Sequence, residues 1–189
     1  MIGVFGGAFD PPHNGHVALA REAKRAFGLE QLAILVSAAP GHKPVETPAP
    51  VRLELARAAF PAEEVILDEH ARTVDALRAH PEWDDPLFLV GADEFCDFLT
   101  WKEPHEVLRR ARLGVATRPG YPRERLEAAL AELEHPERVL FFEIEPLPIA
   151  SRDLRARLEG GESIREVIPE DVCRIIERER LYTRPTRVH

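Results

Sequence analysis

Short apolar runs alternate along the chain with stretches whose apolar residues recur every three to four positions. This pattern predicts a parallel sheet covered by helices on both faces. Strands are expected at residues 2–5, 32–36, 65–67, 87–90, 113–116 and 139–144. Helices are expected at 15–27, 51–60, 73–80, 103–110 and 123–133, with two more near 151–158 and 169–180. In the first helix Val17, Leu19, Ala20, Ala23 and Phe27 form the apolar stripe, and Gly28 marks its stop. The fold class read from this order is α/β: a Rossmann-like, doubly wound parallel sheet forming one domain over 1–189, with a small C-terminal helical part from about 151. In such sheets ligands bind beyond the carboxyl ends of the strands, where the strand order reverses. The loops after strands one, two and four should therefore converge, and the long proline-rich loop 38–50 belongs to that set.

Composition narrows the class of partner. A net charge of -8 over 189 residues speaks against a general nucleic-acid binder, which needs a surplus of Lys and Arg, but leaves room for a local cationic pocket that takes a small anion. No apolar run approaches the roughly 18 residues of a membrane span. The opening Met1-Ile2-Gly3-Val4-Phe5 has no secretory-signal pattern, so a cytoplasmic protein with no membrane partner is expected. Cys96 and Cys173 are far apart and form no CxxC pair, and they read as reduced thiols without a function. A homo-oligomer is left open.

The chemistry concentrates in Gly6-Gly7-Ala8-Phe9-Asp10-Pro11-Pro12-His13-Asn14-Gly15-His16, between the first strand and the first helix. Glycines let backbone N–H groups approach phosphates closely, and a helix start adds unpaired donors and the positive end of a dipole. His13 and His16, three apart, share one side of the first turn and could grip one polyphosphate. Two plainer readings stand beside this: a capping loop with incidental histidines, or a metal pair, which usually uses i, i+4 spacing and a third ligand.

The segment resembles the GxFDPxHxGH signature of the HxGH nucleotidyltransferase superfamily. Residues 149–155, Ile-Ala-Ser-Arg-Asp-Leu-Arg, resemble its second signature, ISSTxIR, with Ala150 and Arg152 departing from the usual Ser and Thr. The resemblance implies transfer of a nucleoside monophosphate from a triphosphate, with pyrophosphate released. It places Gly6, Gly7 and Phe9 at the ATP, has His13 and His16 stabilise charge on the transferred group, and has Ser151 and Arg155 hold the outgoing phosphates. Arg152 is either an added cation or a solvated helix residue. An acceptor phosphate is already anionic, so positioning and charge neutralisation suffice without a strong base.

Weaker pieces resemble the nicotinate mononucleotide adenylyltransferases. Gly41-His42-Lys43-Pro44 is similar to their PHK segment, which implies a phosphate contact for Lys43 and none for His42. Thr73-Val74-Asp75-Ala76-Leu77 is similar to TVDTL, and Gly91-Ala92-Asp93 with Trp101 to GxD followed by Trp. By that likeness Trp101 stacks a pyridinium ring, Thr73 receives its carboxylate, and Asp93 takes ribose hydroxyls at the ATP. Singly, these residues could be a helix cap, a strand-end cap and a core-edge aromatic. Arg118-Pro119-Gly120 resembles a segment near the adenine or is an ordinary turn, and Trp83 reads as loop packing. The implied partners are ATP and a pyridine mononucleotide, nicotinate mononucleotide first, in NAD biosynthesis, with Mg²⁺ arriving on ATP. The alternatives are another acceptor, nicotinamide mononucleotide or phosphopantetheine, and a noncatalytic nucleotide-binding regulator.

Overall fold

The computed structural model describes residues 1–41, 45–145 and 147–183. Six strands form one parallel sheet: β1 (Ile2–Gly7), β2 (Gln31–Ser37), β3 (Glu64–Asp68), β4 (Leu87–Gly91), β5 (Arg112–Thr117) and β6 (Val139–Glu143), in the order β3-β2-β1-β4-β5-β6. The order reverses at β1, which pairs with β2 on one side and β4 on the other. This is the doubly wound arrangement predicted from the alternating pattern.

Because side chains alternate across a pleated strand, each strand feeds two cores. Phe5, Ile34, Val36, Leu87 and Leu89 point to one face, where α1 (Asn14–Phe27), α2 (Ala49–Ala59), α7 (Ser151–Glu159) and α8 (Glu170–Glu179) cover them. Val4, Leu35, Phe88, Val90, Leu113 and Val115 point to the other, covered by α3 (Thr73–Ala79), α4 (Ala92–Cys96), α5 (Pro104–Arg110) and α6 (Arg123–Ala131). On α8 the stripe Val172, Cys173, Ile175 and Ile176 is buried, which brings this helix down onto the α1–α2 layer.

The helix α4 was not expected from the sequence. Strand β4 passes into it at Gly91 without an intervening loop, so Asp93 sits in its first turn. Its five residues are too few to show helical periodicity. Among the described residues no helix is long and apolar enough to cross a membrane.

Candidate active site

The loop between β1 and α1 is folded around its own aromatic residue. Phe9 takes a left-handed backbone, φ 50°, and sinks its ring into the core, edge-on to Phe5, Phe60 and His16. A Cβ at Gly7 would lie 2.9 Å from the Phe9 ring, so glycine is needed for this turn-in. His13 caps α1 with extended backbone and donates its N–H to Nδ1 of His16 at 3.2 Å. That acceptor role leaves Nε2 of a neutral His16 as a donor. The two rings stack, with centroids 3.8 Å apart. A Cβ at Gly15 would come within 2.9 Å of His13 Nδ1, so the glycine of the HxGH pattern makes room for the ring. His13 is 6% exposed, its Nδ1 is buried without a hydrogen-bond partner among the described residues, and burial holds its pKa down at about 4. The ring is thus neutral near pH 7.

The second signature lands on the first. Ser151, opening α7, donates its hydroxyl to the carbonyl of Pro11 at 2.9 Å, and Arg155, one turn on, donates Nη1 to the carbonyl of Asp10 at 2.7 Å. Arg155 also pairs through Nε with Glu46 at 2.8 Å. Asp10 is itself buried. Its carboxylate accepts the backbone N–H of Glu46 at 2.7 Å and the hydroxyl of Tyr182 at 2.6 Å. Burial, followed by the bond to Asp10, pushes the Tyr182 phenol well above its usual range, so it stays a donor.

Beneath this lies Arg52, fully buried on α2. It donates to the carbonyls of Thr47, Ala8, Ser37 and Ala38 at 2.7–3.0 Å. One guanidinium thereby joins the loop after β1 to both ends of the described part of the loop after β2. Desolvation lowers its pKa, and the charge of Asp10 opposes that shift.

Beside the loop a cleft of about 760 Å³ opens at the carboxyl ends of the strands. Gly6, Gly7 and Ala8 line one part of it, and Arg72, Thr73 and Trp101 another. Trp101 is half-buried, tilted against Phe98 at 5.3 Å and edge-on to Phe88 at 6.3 Å. An ion pair of 3.0 Å between Lys102 and Asp75 fastens the residue after Trp101 to the first turn of α3.

The structure therefore gathers Gly6, Gly7, Thr73 and Trp101 around one cleft and gathers His13, His16, Ser151 and Arg155 around the adjoining loop. Phe9 serves the loop from inside the core. Asp93 stands apart on α4, its carboxylate accepting from Tyr121 at 2.8 Å and lying 3.5 Å from Arg125. Arg118 and Arg125 lie over the Tyr121 ring, each 5.8 Å from its centroid. Arg152 projects into solvent and lies 3.6 Å from Asp153. Trp83 stacks on His80 at 4.0 Å. Lys43, with His42, lies outside the described residues. Among the described residues no group of three or more His, Cys, Asp or Glu is placed to hold a metal ion.

Two residues of this site, Glu46 and Arg52, are not singled out by the sequence, and Asp10, quoted within the motif, and Tyr182 are given no polar role there. For Arg52 a signal existed. The buried residues of α2 are Arg52, Leu55, Ala56 and Ala59, the i, i+3, i+4, i+7 stripe of an amphipathic helix, and an arginine on such a stripe needs buried acceptors.

The model of the cytidylyltransferase-like family matches residues 4–157, which include both signature segments. A probable nicotinate-nucleotide adenylyltransferase of Rubrobacter xylanophilus is 33% identical over 98% of this chain and 94% of its own length. One from Thermus thermophilus is 36% identical over 96% of this chain and 98% of its own. Among solved structures, the Plasmodium falciparum nicotinic acid mononucleotide adenylyltransferase complexed with NaAD superposes with a TM-score of 0.78 at 18% identity, covering 96% of both chains, and shares the fold. The chain belongs to the cytidylyltransferase-like family and, within it, to the nicotinate-nucleotide adenylyltransferases.

Proposed function

We propose that the protein transfers AMP from ATP to nicotinate mononucleotide, giving nicotinate adenine dinucleotide and pyrophosphate, a step of NAD biosynthesis. A phosphate oxygen of the acceptor forms a bond to the α-phosphorus of ATP as the bond to the β-phosphate bridge breaks. No proton has to be removed from the nucleophile, so the demand on the protein is alignment and charge stabilisation.

The observation that carries this reading is the meeting of the two signature segments at Asp10 and Pro11, beside a cleft walled by Trp101. The acceptor ring lies against Trp101 with Thr73 in reach of its carboxylate. The polyphosphate lies over Gly6, Gly7 and the start of α1, beside the stacked rings of His13 and His16. ATP extends toward Asp93 and Arg118. Ser151 and Arg155 hold the loop from below in the form described, and Arg155 reaches the outgoing phosphates by exchanging Glu46 for them. Lys43 is assigned to the phosphates. Magnesium belongs to the substrate, entering on the phosphate oxygens of ATP as a hard, incompletely dehydrated ion. We place the reaction in the cytoplasm.

The test is pyrophosphate release by the purified protein with ATP and Mg²⁺, offering nicotinate mononucleotide, nicotinamide mononucleotide and phosphopantetheine separately. Turnover mainly with the nicotinate compound is expected. Faster turnover with another acceptor would reassign the substrate, and silence with all three would leave a nucleotide-binding regulator.

A further inference from the structure

We propose that Arg72 reads the charge of the acceptor ring, its guanidinium taking the pyridine carboxylate and so favouring the acid over the amide. The assignment rests on the reading of the cleft as the acceptor site. Arg72 is exposed, precedes α3 with extended backbone, and lines the cleft. A Cβ at Gly41 would fall 3.0 Å from its Nη1, so the side chain spans from the loop after β3 to the loop after β2.

The other charged groups there leave this arginine to the ligand. Lys102 is paired with Asp75 at 3.0 Å, and His70 with Asp68 at 2.8 Å. Arg72 has no carboxylate partner among the described residues, and its hydrogen bond is a 3.4 Å contact to the carbonyl of Ala71. Asp68, Glu94 and Asp97 also line the cleft, in a chain of net charge -8, so an anionic ring needs a local cation to enter.

Position separates the two anionic ends of the acceptor. The Lys102–Asp75 pair fastens the first turn of α3 beside Trp101, which puts Arg72 on the ring side. Gly6, Gly7 and Ala8, which lead to the histidines, form the phosphate side. A guanidinium is a fork of donors that matches two carboxylate oxygens, whereas a carboxamide presents it with one acceptor and an NH₂ group that cannot accept.

The experiment is calorimetric titration of nicotinate mononucleotide and nicotinamide mononucleotide into the wild-type protein, Arg72→Gln and Arg72→Lys. The ratio of the two dissociation constants should shift toward the amide by roughly tenfold or more in Arg72→Gln, the size of one lost charge-assisted contact. Arg72→Lys, which keeps the charge but loses the fork, should recover part of it. An unchanged ratio, or equal weakening for both ligands, would overturn the assignment, the latter because the shared phosphate would then be what Arg72 holds. Titration reads binding without turnover. A protein that prefers the acid through Arg72 yet releases no pyrophosphate would therefore refute the reaction and keep this residue's role.

Discussion

Lowering the pH from 7 to 4 should cost the folded protein about 3 kcal/mol through His13 alone. The ring is 6% exposed and keeps a folded-state pKa of about 4, against an ordinary value of 6.5. Above pH 6.5 the side chain is neutral in both states and the full stability is present. Between pH 6.5 and 4 the unfolded chain takes up a proton that the folded chain refuses, so stability falls with pH. At about 1.4 kcal/mol per pH unit, less the half-protonation of the folded form at pH 4, the loss comes to about 3 kcal/mol. The assay is urea unfolding across this range for the wild type and for His13→Asn, which cannot titrate there. Other groups act on both proteins alike and drop out of the difference. The two stability curves should converge by about 3 kcal/mol on acidification, and parallel curves would refute the account of a dry, neutral His13.

Three other substitutions probe the same region. His16→Ala should lower turnover by roughly a hundredfold, the effect of losing one preorganised donor, as measured by pyrophosphate release; a variant within a few-fold of wild type would make His16 structural. Gly15→Ala places a methyl 2.9 Å from His13 Nδ1 and should lower turnover at least tenfold while the protein still folds, checked by pairing the same assay with a thermal melt. Arg52→Met leaves four carbonyls without their donor and should cost at least about 3 kcal/mol in urea unfolding.

Much of this fold could be read from local patterns because those patterns are themselves local. Leu32 to Val36 is an unbroken apolar run, and the structure buries it inside a parallel strand with Ile34 and Leu35 on opposite faces. The HxGH segment was equally visible, since its function depends on residues that neighbour one another in sequence. What escaped depends on contacts across long separations. Tyr182 meets Asp10 across 172 positions, and Arg155 meets Asp10 across 145. Leu181-Tyr182 reads as packing, and the structure buries Tyr182, but nothing in the sequence says that its hydroxyl reaches Asp10. The helix α4 escaped for another reason, since five residues carry less than two turns of pattern.

The Tyr182–Asp10 bond has a consequence for the life of the chain during synthesis. Asp10 is synthesised 172 residues before Tyr182, so the loop after β1 waits through that much of translation for the hydroxyl that completes it. A nascent polypeptide that has not reached Tyr182 carries the entire HxGH segment yet lacks one of the bonds that fix its shape. Any chain that stops short of Tyr182 should therefore hold the loop less firmly than one that contains it.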